Sequence, residues 1–376
     1  MVIRMHDVIL YTRSGRISPS SNYRLLQYSN DLGDGVVERP MSPEYFYKQH
    51  ANAKTKLQKL FWYILYYLVI QANVTRYMIK DWRSKPDCIV IQRALSPKLI
   101  FPWNKVLIKK ALGNCKKLIW DFDDEIFNSG EITKFEANLL QNKAFKIIVT
   151  SEFLRSRLSV AAQEKTELMP TTDGEFANES IEEMLSLRAK SYGTKIELLW
   201  LATSPSLPHL NKIIDSLDEI ADTVKQELGK ELVLHVVCNK PLEYDSKYIV
   251  LDNVFWSRKE ARRLIRCSHI GIMPLTNTIS SKGKGGFKIV QYMSAAMPAI
   301  ASAIGFNVEI IDDGITGYLV DDIENTDGWK DAILNLAGDW KKYKQFCLNS
   351  RNSYNDRFSY EYNLERWKIL IKGEQE

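Results

Sequence analysis

The residue types that can do chemistry gather at three places along this 376-residue chain. The densest is Lys282 to Ser302, KGKGGFKIVQYMSAAMPAIAS, where Gly283, Gly285 and Gly286 precede a helical pattern running from Phe287 to Ala296. Glycines ahead of a helix start let backbone amides and the positive end of the helix dipole meet an anion with no Cβ in the way. Lys284, Lys288 and Gln291, at offsets of four and three, continue that end as one polar face. Two lysines and a helix dipole offset most of the charge of a nucleoside diphosphate without a metal ion. The plain alternative is a solvated Gly/Lys loop.

The second place is Trp120 to Phe127, WDFDDEIF, at the end of a strand pattern. Carboxylates clustered there can hold Mg²⁺, accept a proton or hydrogen-bond sugar hydroxyls. Asp121 and Asp123 are taken as the catalytic pair, touching sugar or acceptor; the alternative is an Asp-rich turn capping the next helix. The third is the loop Ser14 to Arg24, where Gly15 alone gives backbone freedom and Arg16 and Arg24 are candidates for a phosphate of donor or lipid acceptor. Cys88, Cys115, Cys238, Cys267 and Cys347 are scattered, without a CxxC pair or histidine at ligand spacing, so no metal site is expected and the thiols read as reduced. The five histidines form no pattern and read as structural.

These segments need strand ends to hold them. Short apolar runs alternate with helical patterns in two series, the signature of parallel α/β sheets. The first has strands expected at Val8 to Thr12, Cys88 to Gln92, Leu118 to Asp121 and Ile147 to Ser151, with a helix over Tyr23 to Leu32. The second has Ile196 to Leu201, Glu231 to Cys238, Tyr248 to Leu251, Ile270 to Leu275, Ala299 to Ser302 and Tyr318 to Val320. Leu207, Leu210, Ile214, Leu217, Ile220 and Val224 make one apolar stripe, hence one helix, and Tyr360, Leu364, Trp367 and Ile371 make a closing one. The expected division is residues 1–175 and 193–355 as two Rossmann-like domains, 176–192 as linker, and 356–376 as a helix crossing back onto the first domain. Parallel sheets bind ligands at the carboxyl ends of their strands.

The run Ile270 to Asp322 resembles the donor-binding half of GT-B glycosyltransferases of retaining family 4, also called group 1: a Pro-Leu ending a strand, a Gly/Lys loop, a helix followed by Pro, a strand ending in Ser, then Asn-Val-Glu and a Gly-x-x-Gly hairpin. The resemblance implies an α/β GT-B architecture of two facing Rossmann-like domains, retention of anomeric configuration and no metal requirement. It also implies a UDP-, GDP- or dTDP-linked sugar as substrate, with no cofactor, and a hexose-type sugar transferred to a hydroxyl. The family's two glutamates, eight positions apart, fall here on Gly283 and Gln291. Gln291 can still accept from and donate to a ribose diol. The family's basic pair after the first strand of this half is replaced by Ala202, Thr203, Ser204 and Pro205, so Lys284 and Lys288, with Gly286 and a Thr203 hydroxyl at the helix start, become the donor-side candidates.

Leu60 to Ile70, LFWYILYYLVI, is eleven residues where a membrane span needs about twenty. Preceded by Lys54, Lys56 and Lys59 and rich in aromatics such as Trp62, it suits a helix lying among anionic headgroups, and equally a core helix. Relatives of this pattern commonly build bacterial surface polysaccharides on lipid-linked acceptors, so the expected place is cytoplasmic, peripheral at the inner face of the membrane. Fifty-one Lys plus Arg against 46 Asp plus Glu is too even to call for nucleic acid. A nucleotide-sugar epimerase and a non-catalytic GT-B subunit that partners another transferase stay open as alternatives.

Overall fold

The computed structural model describes residues 8–373, apart from the side chains of Tyr47, His50 and Ala51. Two compact units emerge. One holds the described residues up to Thr171 together with Gly283–Gly285 and the chain from Asn363 onward; the other holds Thr172–Lys282 and Gly286–Tyr362.

The first unit is built on β1 (Val8–Thr12), β2 (Val36–Pro40), β3 (Cys88–Gln92), β4 (Lys117–Phe122), β5 (Lys146–Val149) and β6 (Thr166–Leu168), all parallel, in the order β2-β1-β3-β4-β5-β6. The central strands β1 and β3 are buried along their whole length, which is why they read as unbroken apolar runs. The edge strands β2 and β6 carry no such run and escape the sequence pattern. The helices of this unit used below are α1 (Pro19–Arg24), α2 (Glu44–Asn52), α3 (Lys56–Ser84), α4 (Pro102–Asn114) and α5 (Lys134–Lys143). The helix expected over Tyr23 to Leu32 is instead α1 followed by a 3₁₀ turn at Leu26–Tyr28. Pro19 at the first helical position sets the earlier start.

Thr55 caps α3 by accepting from the Gln58 amide while Gln58 reaches back, a capping box. Only the second half of α3 enters the core, through Ile70, Val74 and Met78. There Asp81 receives the Tyr11 hydroxyl of β1 and the Arg39 guanidinium of β2, all three buried, so one triad joins helix and both strands. Gln71 on the same helix donates to Ser96 Oγ (2.7 Å) and to the Leu99 carbonyl (2.8 Å), fixing the loop after β3.

The second unit carries β7 (Lys195–Leu201), β8 (Glu231–Cys238), β9 (Val250–Phe255), β10 (Ile270–Met273), β11 (Ala299–Ser302) and β12 (Gly317–Val320), again all parallel, in the order β12-β11-β10-β7-β8-β9. Its chain reverses direction of growth between β7 and β10, the switch point of a doubly wound sheet. Apolar layers cover both faces, one around Trp200, Leu217 and Trp329, the other around Tyr292, Met293 and Ile310. The stripe from Leu207 to Val224 packs on the core, buried from Leu210 onward, but spans two helices, Leu207–Asn211 and Ile214–Leu228.

Residues 176–192 were expected to link the domains. They contain a helix, Ile181–Tyr192, that belongs to the second unit. Its Arg188 is fully buried and donates to the carbonyls of Ala295, Ala296 and Ile265. The final helix, Tyr360–Lys372, groups from Asn363 with the first unit, where Lys117 Nζ donates to the carbonyls of Leu370 (3.1 Å) and Ile371 (3.2 Å) at its last turn.

Glu136 of α5 is fully buried and accepts from the Leu95 amide, and burial pushes its carboxyl up to about 7. A carboxyl raised in the folded state holds its proton after the unfolded chain has released it, so this group lowers stability as pH rises from about 4 to about 7 and by a constant amount above that. Glu136→Gln is therefore expected to be more stable than the parent protein at pH 8, on the order of 1–3 kcal/mol. Thermal melts across pH should show the difference shrinking towards pH 5; a difference independent of pH would contradict the assignment.

Candidate functional site

The loops after β3 and β4 and helix α1 bring the acidic candidates of the first unit together. Asp121, on β4, is completely buried and paired with Arg24 of α1 through Nε and Nη2, both at 2.8 Å. Burial pushes the Asp121 carboxyl up to about 6 despite that arginine. Asp123 accepts from Ser20 Oγ (2.8 Å) and Arg93 Nε (2.8 Å); burial works against its charge, but Arg93 holds its carboxyl below the usual range. Arg93 also meets Asp124 and Glu131, and Glu131 meets Arg13. Three arginines thus answer four carboxylates, an arrangement that neutralises the acids internally rather than presenting them as an open cation cage.

Arg93 is one residue that sequence reasoning missed. It follows β3 directly with φ 61°, a left-handed backbone that is uncommon outside glycine. In that conformation its amide reaches the Asp121 carbonyl (2.6 Å) and its guanidinium faces three carboxylates. Its position, one past a buried strand, was the available signal.

Several assignments from the sequence change. Arg24, expected to meet phosphate, is 1% exposed and bound to Asp121 and the Met169 carbonyl, so it serves the interior of the unit. Arg16 is half-exposed but bridged to Glu38 and to Ser29 Oγ (2.7 Å). Gly15 does take a positive φ, 62°, at a 3₁₀ turn beside Pro40.

The Gly/Lys loop divides. Gly283–Gly285 groups with the first unit, and a Cβ at Gly283 would lie 2.4 Å from Glu125 Cβ, one at Gly285 2.6 Å from the Asp123 carbonyl oxygen. No side chain fits at either position, which accounts physically for the glycine at 283. The Gly285 amide donates to Asp124 Oδ1 (3.3 Å), and Lys284 lies close enough to act on the Asp124 carboxyl, which burial raises.

In the second unit, Gly286 caps the helix Phe287–Ser294 with φ 61°, and its Cβ would strike Ile310 Cδ1 at 2.2 Å. Lys288 stands over the Trp200 ring at 5.7 Å. Gln291 is buried and donates through Nε2 to Asp173 Oδ2 at 2.7 Å; burial pushes the Asp173 carboxyl up to about 6 against that bond. Asp173 had no signal in the sequence beyond its place in a turn-rich stretch. The opposite end of this helix is clamped by Arg188 and by Arg351, which reaches the Ser294 carbonyl. Thr203 is exposed at the start of the 3₁₀ turn Ser204–Ser206 and makes no side-chain cap there. His209, read as structural, holds the loop after β10 through the Thr276 amide (3.2 Å), with the Thr276 hydroxyl at 3.1 Å. Lys54, Lys56 and Lys59 are exposed, and Trp62 packs edge-on against Tyr45, Phe46 and Phe61.

Residues 202–339 match the family described as glycosyl transferases group 1. Among curated proteins, spore coat protein SA of Bacillus subtilis (strain 168) is 23% identical over 261 residues, 63% of this chain and 67% of that one. Among solved structures, HepE of Anabaena in complex with UDP and glucose aligns over 98% of this chain and 100% of that one, with a TM-score of 0.68 and 13% identity. A glycosyltransferase from Rickettsia africae aligns over 98% and 100%, at 0.61 and 15%, and sucrose-phosphate synthase from Thermosynechococcus elongatus over 98% and 98%, at 0.62 and 12%. The fold is that of the GT-B glycosyltransferases, and its second unit carries the group 1 signature.

Removing Arg24 leaves Asp121 buried without a partner. Arg24→Met is expected to cost about 3–5 kcal/mol, and the double variant Arg24→Met/Asp121→Leu to recover most of it. Urea unfolding of the three proteins measures this; equal losses in the single and double variants would show that the pair is not the source.

Proposed function

We propose that this GT-B chain is a glycosyltransferase that moves a hexose-type sugar from a nucleoside-diphosphate donor to a hydroxyl, on an acceptor that is lipid-linked. The observation that carries the reading is the helix Phe287–Ser294 inside the matched region. Its first turn is capped by a left-handed glycine and bears Lys288, with Gln291 one turn on, at the carboxyl edge of a parallel sheet. Charge accumulates on the departing diphosphate as the glycosidic bond breaks, so a cation and a helix N-terminus placed there act on the leaving group. UDP is the nucleotide bound in the Anabaena neighbour, which supports a UDP-linked donor here.

The Gln291–Asp173 pair sharpens the ribose reading. With Nε2 engaged by a buried carboxylate, the Gln291 carbonyl oxygen is the group left to accept a ribose hydroxyl. The negative charge that the family carries on a glutamate stands here behind Gln291, on its hydrogen-bond partner Asp173. Family resemblance supports retention at the anomeric carbon and a diphosphate neutralised by lysine and helix dipole rather than by a metal ion. A role in surface polysaccharide synthesis at the inner membrane face rests on the same resemblance.

A second reading, a nucleotide-binding subunit without turnover, is favoured by two observations: Asp121 is locked by Arg24, and glycine at 283 removes the usual carboxylate. One set of measurements separates them. A thermal-shift panel of UDP, GDP, dTDP and their sugars should show selective stabilisation, weakened roughly tenfold in Kd by Lys288→Ala. Donor hydrolysis or transfer by the purified protein supports the enzyme; selective binding with no turnover supports the subunit. Absence of binding to all of them would refute both.

A further inference from the structure

The basic residues of this chain are distributed very unevenly. Between Tyr45 and Trp120 stand fifteen Lys and Arg against two acids, Asp81 and Asp87, so this stretch alone is +13 while the remaining chain is −8. Asp81 is buried against Arg39 and Tyr11. The stretch comprises most of α2, all of α3 and α4, and the strand between them.

The first half of α3 lies outside the core. Leu57 (80% exposed), Leu60, Phe61, Ile64 and Leu68 are all largely exposed. At 100° per residue they fall in an arc of about 100° and run along about 16 Å of helix. The face continues onto α4: Trp103, 55% exposed, donates its indole N–H to Thr75 Oγ1 (3.3 Å), and Thr75 stands in line with Leu57, Ile64 and Leu68 on α3. Lys54, Lys56 and Lys59 border the apolar arc at one end, and Lys105, Lys109 and Lys110 are exposed on α4. Among the described residues no helix is long and apolar enough to cross a membrane.

We propose that this face, Leu57, Leu60, Phe61, Ile64 and Leu68 of α3 with Trp103 of α4, seats in the headgroup layer of an anionic lipid bilayer, with the surrounding lysines on lipid phosphates. Charge complementarity selects that occupant. A second copy of the chain would bring a +13 stretch against another, whereas an anionic leaflet attracts each lysine near its surface and admits leucine, phenylalanine and tryptophan to shallow depth. The inference deepens the lipid-linked acceptor reading above and rests on it for its purpose, since a bilayer-seated first unit meets such acceptors at the surface where they reside.

Vesicle flotation tests it. Full-length protein should float with phosphatidylcholine vesicles containing about one-third phosphatidylglycerol, stay behind with pure phosphatidylcholine, and be released by high salt. Leu57→Ser/Phe61→Ser/Ile64→Ser should lose flotation more than tenfold while keeping its melting temperature and nucleotide binding, because all three side chains are exposed. Lys54→Gln/Lys56→Gln/Lys59→Gln should weaken it about fivefold per lysine. No flotation at low salt, or equal flotation of the Ser variant, overturns the proposal. So does a dimer by light scattering that the Ser variant converts to monomer, since the face would then join two copies. Turnover on a soluble acceptor without flotation would refute the docking face alone, and flotation without nucleotide binding would refute the transferase reading alone.

Discussion

A carboxylate buried at the end of a parallel strand has to be answered by a cation, and Asp121 imposes that condition on the carboxyl edge of the first sheet. Arg24 answers it from α1, so the segment that carries Gly15 and Arg16 is tied to β4. Arg93 accepts a strained backbone to meet Asp123, Asp124 and Glu131. With the acids held this way, the backbone at 123–125 stands where only glycine can approach, and residues 283 and 285 follow. Contact with Glu125 thereby accounts for the glycine at 283, far along the chain.

The second unit solves a different problem, holding a short helix firmly at a sheet edge. Eight residues make too few internal hydrogen bonds to be rigid alone. Arg188 and Arg351 supply cations to its last carbonyls, Tyr292 fills the space beneath β10, where Gly271 leaves room for its ring, and Gly286 sets the entry angle. The amino-terminal turn, with Lys288 and Gln291, is held by anchors at the other end.

Much of this was legible in the sequence, because a strand buried on both faces reads as an unbroken apolar run: β3, β8 and β11 appear with the boundaries their composition implies. The edge strands β2 and β6 lack that run, and β9, half solvated, starts and ends later than its apolar residues suggest. The Gly/Lys segment with its following helix was legible as a motif. Its partner Asp173 was not, nor was Arg93 in the first unit, since both act through contacts between residues far apart in the chain. Arg24 shows the converse: a basic residue in a loop looks like a ligand group until its burial is known.

The final helix carries a consequence for how the molecule is made. From Asn363 onward it belongs with the first unit, fastened by Asn363 to the Pro170 carbonyl and by Lys117 at its last turn. Synthesis runs from the amino terminus, and domains usually fold as they emerge. Here the strands of the first unit, translated before the second unit, have to wait for the helix from Asn363 onward, with the surface that Leu370 and Ile371 will cover standing open in the meantime. The interval between those two events is when a nascent chain of this architecture is most in need of a chaperone.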